Sequence, residues 1–101
     1  MAKIIKTPAM VDNYFVDFAA RLGTGETLTG PSVTAFDLTA GRDVTADMIG
    51  TPAPAVSGTQ VIFWYQGGVA NRDYFFGVKV GTSAGRTLEE DVDVQVRTEV
   101  E

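Results

Sequence analysis

The chain has 101 residues, carries 13 acidic and 8 basic side chains for a formal charge of −5, and contains neither histidine nor cysteine. This length limits it to one domain, and the missing residue types exclude disulfides, thiolate nucleophiles, cysteine-bound metals and a histidine general base. The acidic balance argues against nucleic-acid binding, and no apolar run approaches the roughly 18–20 residues that span a membrane.

The first residues predict an extended arm followed by a strand. Residues 1–11 mix lysines with apolar side chains and are interrupted by Pro8, so we expect an extended N-terminal arm ahead of a single domain over residues 12–101. A frayed terminus is the competing interpretation. Residues 13–22 alternate apolar and polar side chains up to a glycine-rich turn, which favours a strand over a short helix.

The middle of the chain predicts short elements separated by turns. We expect a brief strand at residues 26–29, a strand at 32–38, a turn at 39–43 and a short strand at 44–49. The segment 51–58 contains two prolines, which exclude a helix or a central strand there because each removes a backbone donor.

The C-terminal half carries the strongest strand patterns. Residues 59–66 are apolar on both parities, and residues 73–80 alternate with Tyr74 and Phe76 on the inward side. A hairpin turn at 81–86 leads into an acidic alternating strand at 88–97. Six or seven short strands with regular turns predict an all-β fold, an immunoglobulin-like antiparallel β-sandwich, with a small barrel as the alternative architecture.

The densest charge cluster, in the last predicted strand, has two functional interpretations, a calcium site or a catalytic carboxylate pair, beside the interpretation as a solvated surface. On a strand, Glu89, Asp91 and Asp93 point to one side as a row of solvated charges that discourages sheet-to-sheet pairing. Glu90 falls on the apolar parity near the start of the strand, where we expect it at the rim. We predict no catalytic, cofactor-binding or metal-binding residue and no cofactor.

Exposed apolar residues are the best candidates for function. Phe15 and Phe75 each take the solvent side of their strands, which is unfavourable in a monomer unless a partner covers them. The arm could add a strand to the sheet edge of a neighbouring molecule. The predicted interface candidates are therefore Ile4, Ile5, Pro8, Phe15 and Phe75.

Five segments together resemble a known family. They are Lys6–Pro8, Asp12–Leu22, Gly25–Leu28, Gly67–Ala70 and the turn Thr82–Thr87. In this order they are similar to the small immunoglobulin-like virion proteins of tailed phages of the fibre–tail adaptor type. The resemblance implies a structural adaptor that is built into the particle in several copies and has no catalytic residues.

The leading hypothesis is therefore a non-enzymatic virion protein that links fibre or accessory proteins to the tail or neck. A capsid decoration protein is the alternative in the same class, and a carbohydrate-binding module with Trp64 and Tyr65 as a stacking platform is the alternative in another class. The expected partners are other virion proteins of the tail, neck, fibre or capsid in a symmetric assembly, without nucleic acid or membrane. The expected location is the virion, after synthesis in the host cytoplasm.

Overall fold

The computed structural model describes residues 2–98, and most of their regular structure is β-strand. The strands are β1 (Ala2–Lys6), β2 (Asp12–Asp17), β3 (Leu28–Asp37), β4 (Arg42–Asp43), β5 (Ala55–Ser57), β6 (Gln60–Tyr65), β7 (Arg72–Thr82) and β8 (Thr87–Val96). The other regular elements in this range are a 3-10 turn at Ala19–Arg21 and a one-turn helix, α1, at Thr45–Met48.

The strands form two sheets, so the predicted all-β sandwich is confirmed. One sheet has five strands in the order β1-β8-β7-β3-β4, and the other has three in the order β2-β6-β5. The orders β8-β7-β3-β4 and β2-β6-β5 correspond to the G-F-C-C′ and B-E-D orders of immunoglobulin domains, and the immunoglobulin-like detail stays a prediction. Not every pair is antiparallel as predicted, because β1 runs parallel to β8.

The core lies between the two sheets and is built by the alternation read from the sequence. Strand β7 turns Tyr74, Phe76, Val78 and Val80 inward, and β6 and β8 bury alternate residues in the same way. The ring of Phe76 meets that of Phe63 from the other sheet edge to face, with 5.6 Å between ring centroids. Such aromatic pairs add to the hydrophobic stabilisation that their burial provides.

Residues 2–6 of the predicted arm are extended, but they do not project from the molecule. They form β1, which pairs with β8 in a register running from Ala2 opposite Val92 to Lys6 opposite Val96. Ile4 is only 6% exposed and belongs to the core. The expectation that this segment is free to pair with a neighbour is therefore wrong for β1, because its alternate residues bury against its own domain.

Lys6 anchors the end of β1 in an unusual way. Its side chain is fully buried, and its ammonium group donates hydrogen bonds to the carbonyl oxygens of Thr7 and Gly67. Burial lowers the pKa of Lys6, because a buried ammonium group loses its hydration. The adjacent Gly68 has φ +93°, and a Cβ there would lie 2.9 Å from Val96 Cγ2, so only glycine lets the loop pass this closely.

The predicted strand at 44–49 is wrong. Thr45–Met48 forms helix α1, and Val44 and Met48, four residues apart, are both buried. This spacing is that of one helical face, and the Asp43 carboxylate accepts a hydrogen bond from the Thr45 N–H at 2.8 Å at the start of the turn.

Two other boundaries differ from expectation. The strand predicted over residues 13–22 ends at Asp17, whose carboxylate accepts from the Ala19 N–H at 2.8 Å and begins the 3-10 turn. The strands predicted at 26–29 and 32–38 join into β3, with a register shift between Thr29 and Ser32. The segment 51–58 is confirmed as neither helix nor central strand, since its β5 is an edge strand.

Candidate interaction surfaces

The outer face of the three-stranded sheet carries an apolar patch, which is bordered by polar residues of the same face. Cross-strand pairing places Phe15 beside Ile62 and Ile62 beside Ala55, and in the next row Asn13 lies beside Trp64. Phe15 is 54% exposed, while Ile62 and Trp64 are half-buried. We call this surface, defined by these five residues, the apolar face.

The outer face of the five-stranded sheet has different chemistry. Three residues of its central strand β7 point outward here, namely Phe75, Gly77 and Lys79, and their neighbours on β8 are Asp93, Asp91 and Glu89. Their neighbours on β3 are Phe36, Thr34 and Ser32. We call these nine residues the acidic face.

The three carboxylates of the acidic face are exposed, as the sequence predicts. Glu89 pairs with Lys79 at 3.6 Å between Oε1 and Nζ, and both side chains are more than half exposed. Exposed ion pairs contribute little to stability, typically 0.2–1 kcal/mol. The rings of Phe75 and Phe36 pack together at 5.7 Å between centroids, so the face also has an apolar centre.

The predicted interface candidates fall into different surroundings. Ile4 faces the core and leaves no exposed contact surface, whereas Pro8 is exposed in the turn after β1. Ile5 is 46% exposed and lies beside Gln95 of β8, on the same side of the sheet as Phe75. Phe15 lies on the apolar face, so the structure puts Phe15 and Phe75 on opposite sides of the sandwich.

One end of the sandwich is held by a charged network that sequence analysis did not anticipate. Arg86 donates to both carboxylate oxygens of Glu26, at 3.0 Å from Nε and 2.7 Å from Nη2, and also donates to the carbonyl oxygen of Arg21 at 2.6 Å. The Glu26 carboxylate accepts in addition from the Gly23 N–H at 2.8 Å. These hydrogen bonds join the β2–β3 connection to the β7–β8 hairpin.

The network joins three of the segments singled out in the sequence, two of them close neighbours and the third about 60 residues further along the chain. Arg21 lies in Asp12–Leu22, Glu26 in Gly25–Leu28 and Arg86 in Thr82–Thr87. Ser83 reinforces the junction, because its hydroxyl accepts from the Thr27 N–H at 2.9 Å and its own N–H donates to the Thr27 carbonyl oxygen at 2.9 Å. The shared segments therefore build one structural junction.

A model of a protein family covers most of the chain, including this junction and every residue of both faces. The family model describes the podophage GP4 fiber-tail adaptor protein gp77 and matches residues 6–95. The chain belongs to this family. No curated protein matches it.

Membership of the fibre–tail adaptor family does not favour the two alternative functions. The structure also contradicts the proposed stacking platform, since Trp64 and Tyr65 point to opposite sides of β6 and Tyr65 is only 5% exposed. Trp64 instead contributes a half-buried indole to the apolar face of the adaptor.

Further exposed apolar residues of this adaptor were missed by sequence reasoning. Val11 lies just before β2 and Val69 lies in a loop, so neither belongs to a predicted alternating strand, whereas Leu38 ends the strand predicted at 32–38 but lies in the loop after β3. Leu38 follows Asp37, a buried carboxylate that accepts from the Thr39 and Ala40 N–H groups at 2.9 Å. These bonds and an ion pair with Arg72 at 3.0 Å order the loop, and they also lower the pKa of Asp37.

Within residues 2–98, no three acidic side chains converge in a way that could hold a metal ion. No helix in that range is long and apolar enough to cross a membrane.

The Glu26–Arg86 junction predicts a specific acid sensitivity. Hydrogen bonds from Arg86 and the Gly23 N–H lower the pKa of Glu26 to about 2, from an ordinary value of 4.5. A lowered pKa in the folded state stabilises the fold above about pH 4.5, and this contribution disappears as the pH falls toward 2. Urea denaturation of wild type and Glu26→Gln should show the stability difference between them shrinking over this range.

The partner variant provides the control for this prediction. Arg86→Met removes the cation but keeps the carboxylate, so the difference between wild type and Arg86→Met should shrink over the same pH interval. A difference between wild type and Glu26→Gln that stays constant from pH 5 to pH 2.5 would contradict the role assigned to the junction.

Proposed function

We propose that the chain is a non-enzymatic structural adaptor of the phage particle, and that its two outer sheet faces bind two different virion proteins. The observation that carries the proposal is the position of Phe15 and Phe75 on opposite sides of one rigid sandwich. A protein that joins a fibre to a tail needs two contact surfaces that do not compete for the same space. Two outer sheet faces provide such surfaces.

The two faces suit different kinds of contact. Phe15 is 54% exposed between half-buried apolar neighbours, which makes the apolar face suited to a dry, closely packed contact. The acidic face combines the Phe36–Phe75 pair with exposed carboxylates, so it suits a more polar contact with a basic surface. This difference lets one small domain distinguish two partners.

The remaining parts of the proposal concern assembly. We propose that several copies act together in a symmetric arrangement on the particle and that the protein is made in the host cytoplasm before incorporation. The partners are proteins of the tail and fibre, and neither nucleic acid nor membrane takes part. The formal charge of −5 supports the exclusion of nucleic acid, since it disfavours binding to phosphates.

Variants of each face test the proposal in assembled particles. Particles are produced from a phage genome that lacks the gene for this chain and are supplied with wild type, Phe15→Asp, Phe75→Asp or the loop control Ala84→Asp. Purified particles are then quantified by mass spectrometry for this chain and for the fibre protein. We expect one phenylalanine variant to be absent from particles and the other to be incorporated but to lose the fibre.

The loop variant Ala84→Asp is the control for the two phenylalanine variants. Ala84 is exposed in the β7–β8 hairpin, away from both faces, so Ala84→Asp should give wild-type amounts of chain and fibre. Wild-type incorporation and wild-type fibre content for both phenylalanine variants would refute the two-face proposal. Density of the protein away from the tail and neck in electron cryo-microscopy would refute the adaptor location.

A further inference from the structure

We propose that a depression on the acidic face is a pocket for an arginine side chain of the partner protein. The depression is about 300 Å³ and lies over Gly77, between the Phe75 ring and the Asp91 carboxylate, with Ser32 and Thr34 on the β3 side. The inference rests on the proposed function, since it concerns what the acidic face binds. Beyond the proposed function, it specifies that the partner contributes a guanidinium group to this contact.

The backbone conformation at the floor of the depression does not require the glycine that is found there, Gly77. Gly77 lies in the middle of β7, the central strand of the five-stranded sheet, and is not among the residues with positive φ. Glycine weakens a strand interior and often marks a place where a ligand or another chain approaches closely. A Cβ at Gly77 would lie 3.2 Å from Thr34 Oγ1 and 3.9 Å from Asp91 Oδ1, so it would occupy the space between them.

The walls of the depression offer acceptors that have no use within the described chain. In residues 2–98, the side chains of Ser32, Thr34 and Asp91 make no hydrogen bond or ion pair to another residue. One carboxylate and two hydroxyl groups around an aromatic ring match a guanidinium group, which has five N–H donors and a flat face that stacks on rings.

Charge complementarity favours arginine despite a nearby lysine. Lys79 lies at one end of the depression, but its ammonium group is paired with Glu89 at 3.6 Å. Asp91 is then the carboxylate left for an incoming cation, and Asp93 lies one row further along β8, with Lys3 of β1 beside it. An ammonium group would bind Asp91 as a point charge, without using the hydroxyl groups and the ring together.

To test this, the whole protein is titrated with N-acetyl-arginine amide as the probe, and binding is monitored in ¹H–¹⁵N correlation spectra. We expect saturable shifts centred on the amides of Phe75, Gly77 and Asp91, and weaker binding of N-acetyl-lysine amide. Asp91→Asn should weaken arginine binding about threefold to fivefold, the size expected for one exposed charge pair. Asp93→Asn is the matched control, because it removes an exposed carboxylate of the same strand and face outside the depression, and it should change the affinity less than Asp91→Asn.

Two further variants distinguish filling of the depression from a disturbance of the neighbouring Thr34 side chain. Gly77→Ala fills the floor and should abolish saturation, whereas Thr34→Ala with Gly77 retained removes one acceptor and should weaken arginine binding but leave it saturable. Shifts that do not saturate, equal affinity for both probes, or equal effects of Asp91→Asn and Asp93→Asn would overturn the pocket. If Phe75→Asp removes the fibre or the chain from particles while Asp91→Asn binds the probe like wild type, the proposed function stands and the arginine pocket falls.

Discussion

Phe76→Ala will lower the free energy of unfolding by about 3–5 kcal/mol, because it removes a large side chain from a packed core. Phe76 is completely buried and contacts the rings of both Phe63 and Tyr65, at 5.6 and 6.1 Å between centroids, so the cavity would open between the two sheets. The total stability of a domain is only about 5–15 kcal/mol, so this variant should lose a large part of it. Urea denaturation followed by tryptophan fluorescence measures the change.

The neighbouring residue provides the matched control. Phe75 has the same side chain on the same strand but points to the acidic face, where it is half-buried against Phe36. Phe75→Ala should therefore cost clearly less stability than Phe76→Ala, and in particles it should affect binding instead. Similar losses for the two variants would mean that the five-stranded sheet does not present these faces as described.

Removing residues 1–6 will destabilise the isolated domain by at least the ~2–4 kcal/mol expected for losing the buried Ile4 side chain, because the deletion also removes the rest of β1 from the sheet. The deletion takes Ile4 out of the core, removes the buried Lys6 and uncovers the edge of β8. The melting temperature of the purified chain should fall by many degrees. Newly exposed strand edges also pair with other chains, so we expect the truncated protein to associate at high concentration.

Two point variants distinguish the stability that the buried side of β1 provides from the stability that its exposed side provides. Ile4→Ala should account for about 2–4 kcal/mol of the loss, as for other buried aliphatic truncations. Ile5→Ala should change stability little, since Ile5 is 46% exposed on the outer side of the strand. A truncated chain that melts like wild type would show that β1 does not pair with β8 of its own molecule in solution.

The sequence pattern was sufficient for the strands with strong alternation. Strands β6, β7 and β8 each carry a run of alternating or continuous apolar residues, and their observed bounds differ from expectation by one or two residues. The outward positions of Phe15 and Phe75 followed from the same alternation. That these two residues lie on different sheets could not follow from it, because periodicity within a strand does not specify which strands are neighbours.

The features that were missed depend on contacts between distant segments. Strand β1 has only five residues, and its pairing with β8 joins positions about ninety residues apart, so no local pattern reveals it. The Glu26–Arg86 junction is likewise a pairing across 60 residues, between the start of a predicted short strand and a predicted hairpin turn. Helix α1 was misread because four residues are too few for a helical period to stand out from alternation.

The parallel pairing of β1 with β8 also determines how the domain bears load. The two strands run in the same direction, so a pull on Ala2 against Val96 slides one strand along the other. All the hydrogen bonds of the pair then resist together in shear, whereas bonds that are peeled from one end break in succession. The domain should therefore resist force along this axis better than force that separates strand partners one pair at a time. Single-molecule pulling between these two residues should therefore require a larger force than pulling across the β7–β8 hairpin.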